Sequence, residues 1–152
     1  MVKQSATLKI SGGLSMDKNY IKFKALYYWS DEDDCYYAEV PSFESVFTDG
    51  DTVKDLETNL IEIMTLSIQC FIDDKEDYSK MLRENEEFEN KDDDKNIMFI
   101  SFFLPYEISK TKDIYKKKTL TIPVWLDILA SQKNINFSRV LQEGLKKELK
   151  IN

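Results

Sequence analysis

In the run Lys116-Lys117-Lys118-Thr119-Leu120-Thr121-Ile122-Pro123, the side chains of Lys117, Thr119 and Thr121 fall on one face of an extended strand and those of Leu120 and Ile122 on the other. A row of short hydroxyl and basic groups can reach base edges and phosphates, and a two-stranded ribbon carrying such a row fits the major groove of DNA. Catalytic chemistry finds no comparable constellation. The chain contains no His, which excludes histidine-based triads and histidine-containing zinc sites. No P-loop or dinucleotide-binding glycine pattern occurs, and four glycines leave little material for a phosphate-cradling loop. Asp31-Glu32-Asp33-Asp34 with Asp49 and Asp51 could offer oxygen ligands to a divalent cation, but these residues sit in turns and lack calcium-hand spacing, so they read as solvated surface. The chain is therefore expected to be non-enzymatic, with no catalytic residue, metal or cofactor. Cys35 and Cys70 have neither metal-ligand spacing nor a His to assist them, and read as buried, reduced thiols.

The net charge of −7 hides two opposite halves. Residues 1–109 carry 11 Lys and Arg against 24 Asp and Glu, or −13, whereas residues 110–152 carry 10 against 4, or +6. This asymmetry suits a basic partner for the first part and a polyanion for the second. No apolar stretch approaches the roughly twenty residues that span a bilayer, and no basic-then-apolar signal opens the chain, so the expected location is cytoplasmic.

The elements that position these groups can be read from periodicity. Residues 1–19 are weakly patterned and read as a leader, with an edge strand at Thr7–Ile10 as the alternative. From Tyr20 the pattern alternates, with Ile21, Phe23, Ala25, Tyr27 and Trp29 on one face; a polar turn at Ser30–Asp34 leads to a second strand, Cys35–Val40, ended by Pro41. Phe43 to Phe47 reads as a short third strand before the Asp49-Gly50 turn. Thr52 then caps a helix, answered by Asp55, whose stripe is Val53, Leu56, Leu60, Ile63, Met64 and Phe71. An acidic insertion, 73–96, follows with a short helix around Ser79–Glu87, and Ile97–Leu104 reads as a strand buried on both faces. The domains expected are 20–105, a linker at 106–116, and 117–152.

The last of these reads as strand, helix, helix: Lys117–Ile122, Val124–Lys133 and Phe137–Leu149, with Asn134 in a left-handed stop and Asn136 as the cap of the second helix. About thirty-five residues cannot bury such an apolar face alone. Two copies pairing their strands would turn Leu120, Ile122, Leu126, Leu129, Val140, Leu141 and Leu145 into a shared dimer core, leaving Lys117, Thr119 and Thr121 for bases. Lys116, Lys118 and the helix start Asn136-Phe137-Ser138 would then meet phosphates. A helical hairpin docked on the N-terminal sheet is the alternative.

Thr119-Leu120-Thr121-Ile122-Pro123, then Trp125 to Ala130, then Asn134-Ile135-Asn136-Phe137-Ser138 resembles the ribbon-helix-helix family over residues 117–149, with Asn134 where that family often has Gly. Asp34-Cys35-Tyr36-Tyr37-Ala38-Glu39-Val40-Pro41, with Phe47-Thr48-Asp49-Gly50-Asp51-Thr52 before the helix and the apolar strand 97–104, resembles HicB antitoxins. A Pro-Gly-Cys that often follows the second strand in that family is replaced here by Ser42-Phe43-Glu44-Ser45-Val46. The resemblance implies an α+β chain: a degenerate ribonuclease-H-like N-terminal domain (three strands, helix, fourth strand) plus a dimerising ribbon-helix-helix module. It also implies a HicA-like, mRNA-cleaving ribonuclease toxin as partner, held by Tyr36, Tyr37, Glu39, Glu84, Glu86 and Glu87. Double-stranded operator DNA would be the second partner, bound by a homodimer, with a dimer of dimers left open and no membrane involved. A ligand-sensing ribbon-helix-helix repressor without a toxin, and a residual nuclease using Asp49 and Asp51, are the competing readings.

Overall fold

The computed structural model describes residues 18–112 and 114–151, so the leader and the strand alternative at Thr7–Ile10 lie outside the described residues. The chain divides into two compact units, 1–114 and 115–152. In the first, β1 (Tyr20–Ser30) buries Ile21, Phe23 and Ala25 as the alternation requires. A turn with Asp34 in the left-handed region (φ 55°) returns the chain into β2 (Cys35–Glu39), paired antiparallel from Leu26↔Glu39 to Ser30↔Cys35.

The third strand is displaced from where the pattern puts it. It is β3 (Phe47–Gly50), paired from Tyr36↔Gly50 to Glu39↔Phe47. Of the residues expected to form it, Phe43 to Phe47, only Phe47 does so, and those before it make consecutive tight turns instead (Phe43 N to Val40 O, Val46 N to Phe43 O). Phe43 and Val46 are buried all the same, driven into the core from a loop, which is why their apolar character mimics a strand.

The helix α1 (Val53–Asp73) starts as its cap dictates: Thr52 Oγ1 accepts from Asp55 N at 3.1 Å and donates to the Asp55 carboxylate at 2.6 Å. Leu56, Leu60, Met64 and Ile68 are fully buried against the sheet, each burial being worth about 1.5–3 kcal/mol. Ile63 and Phe71 sit at the margin of this core, while Val53, at the first turn, is exposed. Helix α2 (Ser79–Glu87) lies where the insertion was expected to be helical. Strand β4 (Asn96–Phe103) then pairs with β1 from Tyr27↔Asn96 to Tyr20↔Phe103, giving the sheet order β3-β2-β1-β4.

Two expectations fail here. β4 is buried on one face only: Ile100 and Phe102 enter the core, whereas Phe99 is 75 % exposed and Ile97 and Phe103 are also exposed. The uniform apolarity of the strand therefore does not come from two covered faces. The stretch expected as a linker from residue 106 is also partly helical, because α3 (Leu104–Lys110) runs straight on from β4 with Pro105 in its first turn. It packs Leu104 and Ile108 on the core, and its largely buried Glu107 accepts from Lys110 at 2.6 Å, a bond that raises the lysine's pKa.

The second unit has an extended segment up to Pro123, then α4 (Val124–Gln132) and α5 (Phe137–Glu148). Asn134, at φ 50°, makes the left-handed stop between them, and Asn136 caps α5 by accepting from Arg139 N at 3.0 Å.

Gly50 is the residue through which sheet and helix meet. A Cβ there would stand 2.8 Å from the Leu56 backbone nitrogen, and backbone cannot give way as a side chain can. Gly50→Ala should cost about 1–3 kcal/mol in chemical denaturation. Gly144→Ala in α5, where nothing lies within 4 Å, should instead stabilise its helix by up to about 1 kcal/mol.

Candidate functional site

The residues singled out for nucleic acid lie together on an open segment. Lys116, Lys117, Lys118, Thr119 and Thr121 are all exposed, and residues 114–123 belong to no strand within the chain, in contrast to the strand expected at Lys117–Ile122. A strand exists only by hydrogen bonding to a neighbour, and among the described residues this segment has none. Its apolar partners are equally uncovered. Leu120, Ile122, Leu126, Leu129, Val140 and Leu145 are between 38 % and 61 % exposed, Leu141 is half-buried, and Ala130 is the one residue of this unit classed as buried among the described residues. Phe137 and Ser138 open α5 beside the Asn136 cap, where free backbone N–H groups face solvent.

The residues singled out for a protein partner are divided by the pleat. Tyr37 and Glu39 lie on the sheet face opposite α1, whereas Tyr36 turns to the other side and packs on Trp29 and Tyr27, with ring centroids 4.8 and 6.3 Å away. The Tyr37 hydroxyl has its pKa pushed up to about 12 by hydrogen bonding with Cys35 and with the Asp33 carboxylate, the latter at 3.2 Å. Glu39 is already committed to Lys95, at 2.7 Å, and that bond raises the lysine's pKa. Lys95 also stands 5.7 Å from the centre of the Tyr28 ring. This outer face is markedly aromatic: Tyr20 and Phe103 meet at 5.1 Å, and Tyr28 and Tyr37 at 5.8 Å.

Glu84, Glu86 and Glu87 are exposed on α2, and what places them is a residue the sequence did not single out. β2 pairs with β1 only from Leu26 onward, leaving the backbone of Lys24 facing an open edge. Asn85, 0 % exposed, fills it. Its Oδ1 accepts from Lys24 N at 2.7 Å, and its Nδ2 donates to Lys24 O at 2.9 Å and to Pro41 O at 2.8 Å. The carboxamide thus does for one residue of β1 what a strand would do. Lys24 Nζ completes the joint by donating to the carbonyls of Glu86 and Phe88 at the end of α2. Through Asn85 the acidic helix is held beside the end of β2, so Glu39 and the α2 carboxylates belong to one side of the unit. The only sequence signal was an uncharged Asn inside a run of glutamates.

Neither thiol is buried: Cys35 is half-buried and Cys70 exposed on α1, contrary to expectation, because α1 turns Cys70 away from the stripe that begins at Leu56. Among the described residues no group of three or more His, Cys, Asp or Glu is arranged to hold a metal ion, and no helix is long and apolar enough to cross a membrane. A cavity of about 470 Å³ lies between α2 and the outer face, lined by Lys22, Arg83 and Phe99 among others.

Removing the Asn85 carboxamide leaves two carbonyls and an N–H without partners. Asn85→Ala should therefore destabilise the first unit by about 2–3 kcal/mol. Amide exchange should accelerate at Lys24 and throughout α2 while α1 stays protected; equal loss across α1 would show that Asn85 does not act through this joint.

No family model matches the chain, and no curated protein matches it. Solved structures are similar to it, two of them as follows. One is a chain of a toxin-antitoxin complex from Streptococcus pneumoniae, 22 % identical over 85 % of this chain and 99 % of that one, with a TM-score of 0.44. The other is the antitoxin HicB from Burkholderia pseudomallei, 17 % identical over 85 % of this chain and 98 % of that one, with a TM-score of 0.42.

Proposed function

We propose that the chain is a non-catalytic antitoxin and repressor of the HicB kind. Residues 115–152 dimerise as a ribbon-helix-helix module on double-stranded operator DNA, and the acidic first unit neutralises a HicA-like ribonuclease toxin. The observation that carries this reading is the uncovered apolar set Leu120, Ile122, Leu126, Leu129, Val140 and Leu145 beside an extended segment without a strand partner. Apolar surface of this extent is found where another chain binds. Pairing two such segments would supply both missing items at once, hydrogen bonds for the backbone and a core for the side chains. With Leu120 and Ile122 turned inward, Lys117, Thr119 and Thr121 face the groove. Lys116, Lys118 and the start of α5 at Asn136, Phe137 and Ser138 contact phosphates. On the first unit, Tyr37, Glu39, Glu84, Glu86 and Glu87 offer an acidic, aromatic surface to a basic toxin, and Tyr36 supports them from the other face.

Operator and random-sequence DNA affinities test the first half. Thr119→Ala or Thr121→Ala should cost about 1–3 kcal/mol at the operator and leave non-specific binding nearly unchanged. Lys116→Ala or Lys118→Ala should weaken both and flatten the salt dependence. If the Thr variants leave the ratio of the two affinities unchanged, the segment does not read bases.

For the second half, the chain truncated after Ile114 should copurify with a co-expressed basic ribonuclease of this class and still block RNA cleavage. Its association rate should fall as salt rises, the Debye length shrinking to roughly 3 Å at 1 M. A folded 1–114 fragment with no hold on the ribonuclease would place toxin binding elsewhere.

A further inference from the structure

The outer face of the sheet holds a groove whose lining is opposite in charge to the unit around it. Lys22 and Lys24 of β1 and their register partners Ser101 and Phe99 of β4 share that face and form the floor. Ser79, Leu82, Arg83 and Glu86, spaced as one face of a helix, form a wall supplied by α2. The cavity between them measures about 470 Å³. Small-ligand sites occupy roughly 300–1,000 Å³ and combine an apolar lining with a few placed polar groups. Here the apolar part is led by Leu82 and by Phe99, which is 75 % exposed.

Residues 1–109 carry −13, yet the groove is lined by three cations, Lys22, Lys24 and Arg83, against one carboxylate, Glu86. Lys24 is committed, because its Nζ donates to the carbonyls of Glu86 and Phe88. Lys22 and Arg83 are not. Lys80, Lys95 and Lys110 each hold a carboxylate, whereas no ion pair among the described residues includes Lys22 or Arg83. Asp77 accepts from the Ser79 N–H and hydroxyl, and those bonds, ahead of the charge of Arg83, hold it below the usual carboxylate range. Two cations are thus left beside an apolar floor.

We propose that this groove binds a small amphiphilic carboxylate, an aromatic or aliphatic body with one anionic head. The body covers Phe99 and Leu82. The head meets Arg83, whose planar fork suits two carboxylate oxygens, and Lys22 supplies a second cation. Local charge selects this occupant. A basic protein is repelled by the three cations of the lining, and a second copy or a nucleic acid by the −13 of the segment around them. A single small anion escapes most of that repulsion, because charges beyond about 8 Å are screened at physiological salt. The charges that line the groove are mostly positive. By touching both α2 and β4, the ligand also ties α2 to a strand that Asn85 does not reach, and so stiffens the helix. The site goes beyond the antitoxin reading and does not rest on it, although Glu86 borders both surfaces.

Magnetic-resonance titration of the full chain with 2-naphthoate, and with 2-naphthylmethylammonium as a similar body of opposite charge, tests it. Saturable shifts are expected at the amides of Lys22, Leu82, Phe99 and Ser101, the acid binding about tenfold more tightly than the ammonium. With the acid bound, amide exchange in α2 should slow while α1 is unchanged. Arg83→Glu and Lys22→Glu should each weaken the acid about tenfold and leave the ammonium bound at least as well, a reversal that loss of structure cannot produce. Phe99→Ala should weaken both probes alike. Equal affinity for the two probes overturns the proposal, as do acid binding that survives both charge reversals, shifts confined to residues 120–145, and a failure to saturate in the millimolar range. An oligoglutamate peptide that binds as tightly as 2-naphthoate would make an acidic protein segment the occupant, and likewise overturns it.

Discussion

Every backbone N–H and C=O in a sheet needs a partner, and in this chain the consequences radiate from β1. Its eleven residues receive β4 along one side and the five-residue β2 along part of the other. Where β2 leaves, the carboxamide of Asn85 takes over, and through it α2 and the acidic segment become part of the folded unit rather than a tail. Among the described residues the backbone closes on β1 but leaves two lengths open, the outer edge of β4 and the extended segment before Pro123. Both open lengths are lined by exposed apolar side chains, so the unmet hydrogen bonds and the unburied surface coincide. That coincidence points to other chains as the missing partners, because exposed polar backbone alone would be satisfied by water.

The charge distribution sets the sign of charge that each part attracts. The net charge of −13 on residues 1–109 disfavours a nucleic acid there, and the net +6 on 110–152 favours one. A chain whose two parts carry net charges of opposite sign must also avoid binding itself through them. Holding carboxylates in local bonds is one means: Glu39 with Lys95, and Glu107 with Lys110. These pairs contribute little to stability when exposed. Glu39 would still have to exchange Lys95 for a partner's cation, so its value at an interface is smaller than its position suggests.

What the sequence disclosed followed from local rules. The capped start of α1, the left-handed Asn134 and the Asn136 cap are written in residue types that act over a few positions, and each is found where it was expected. The displaced third strand shows where such rules stop. Phe43 and Val46 are apolar because they are buried, and burial from a turn leaves the same mark as burial from a strand. β4 failed for the opposite reason: its apolar outer face was taken to be covered, and among the described residues it is not. Asn85 was invisible because its role depends on Lys24 and Pro41, 61 and 44 positions away in the chain. The candidate DNA face was legible as a pattern of types, whereas the division of Tyr36 from Tyr37 and Glu39 required the register of β1 and β2.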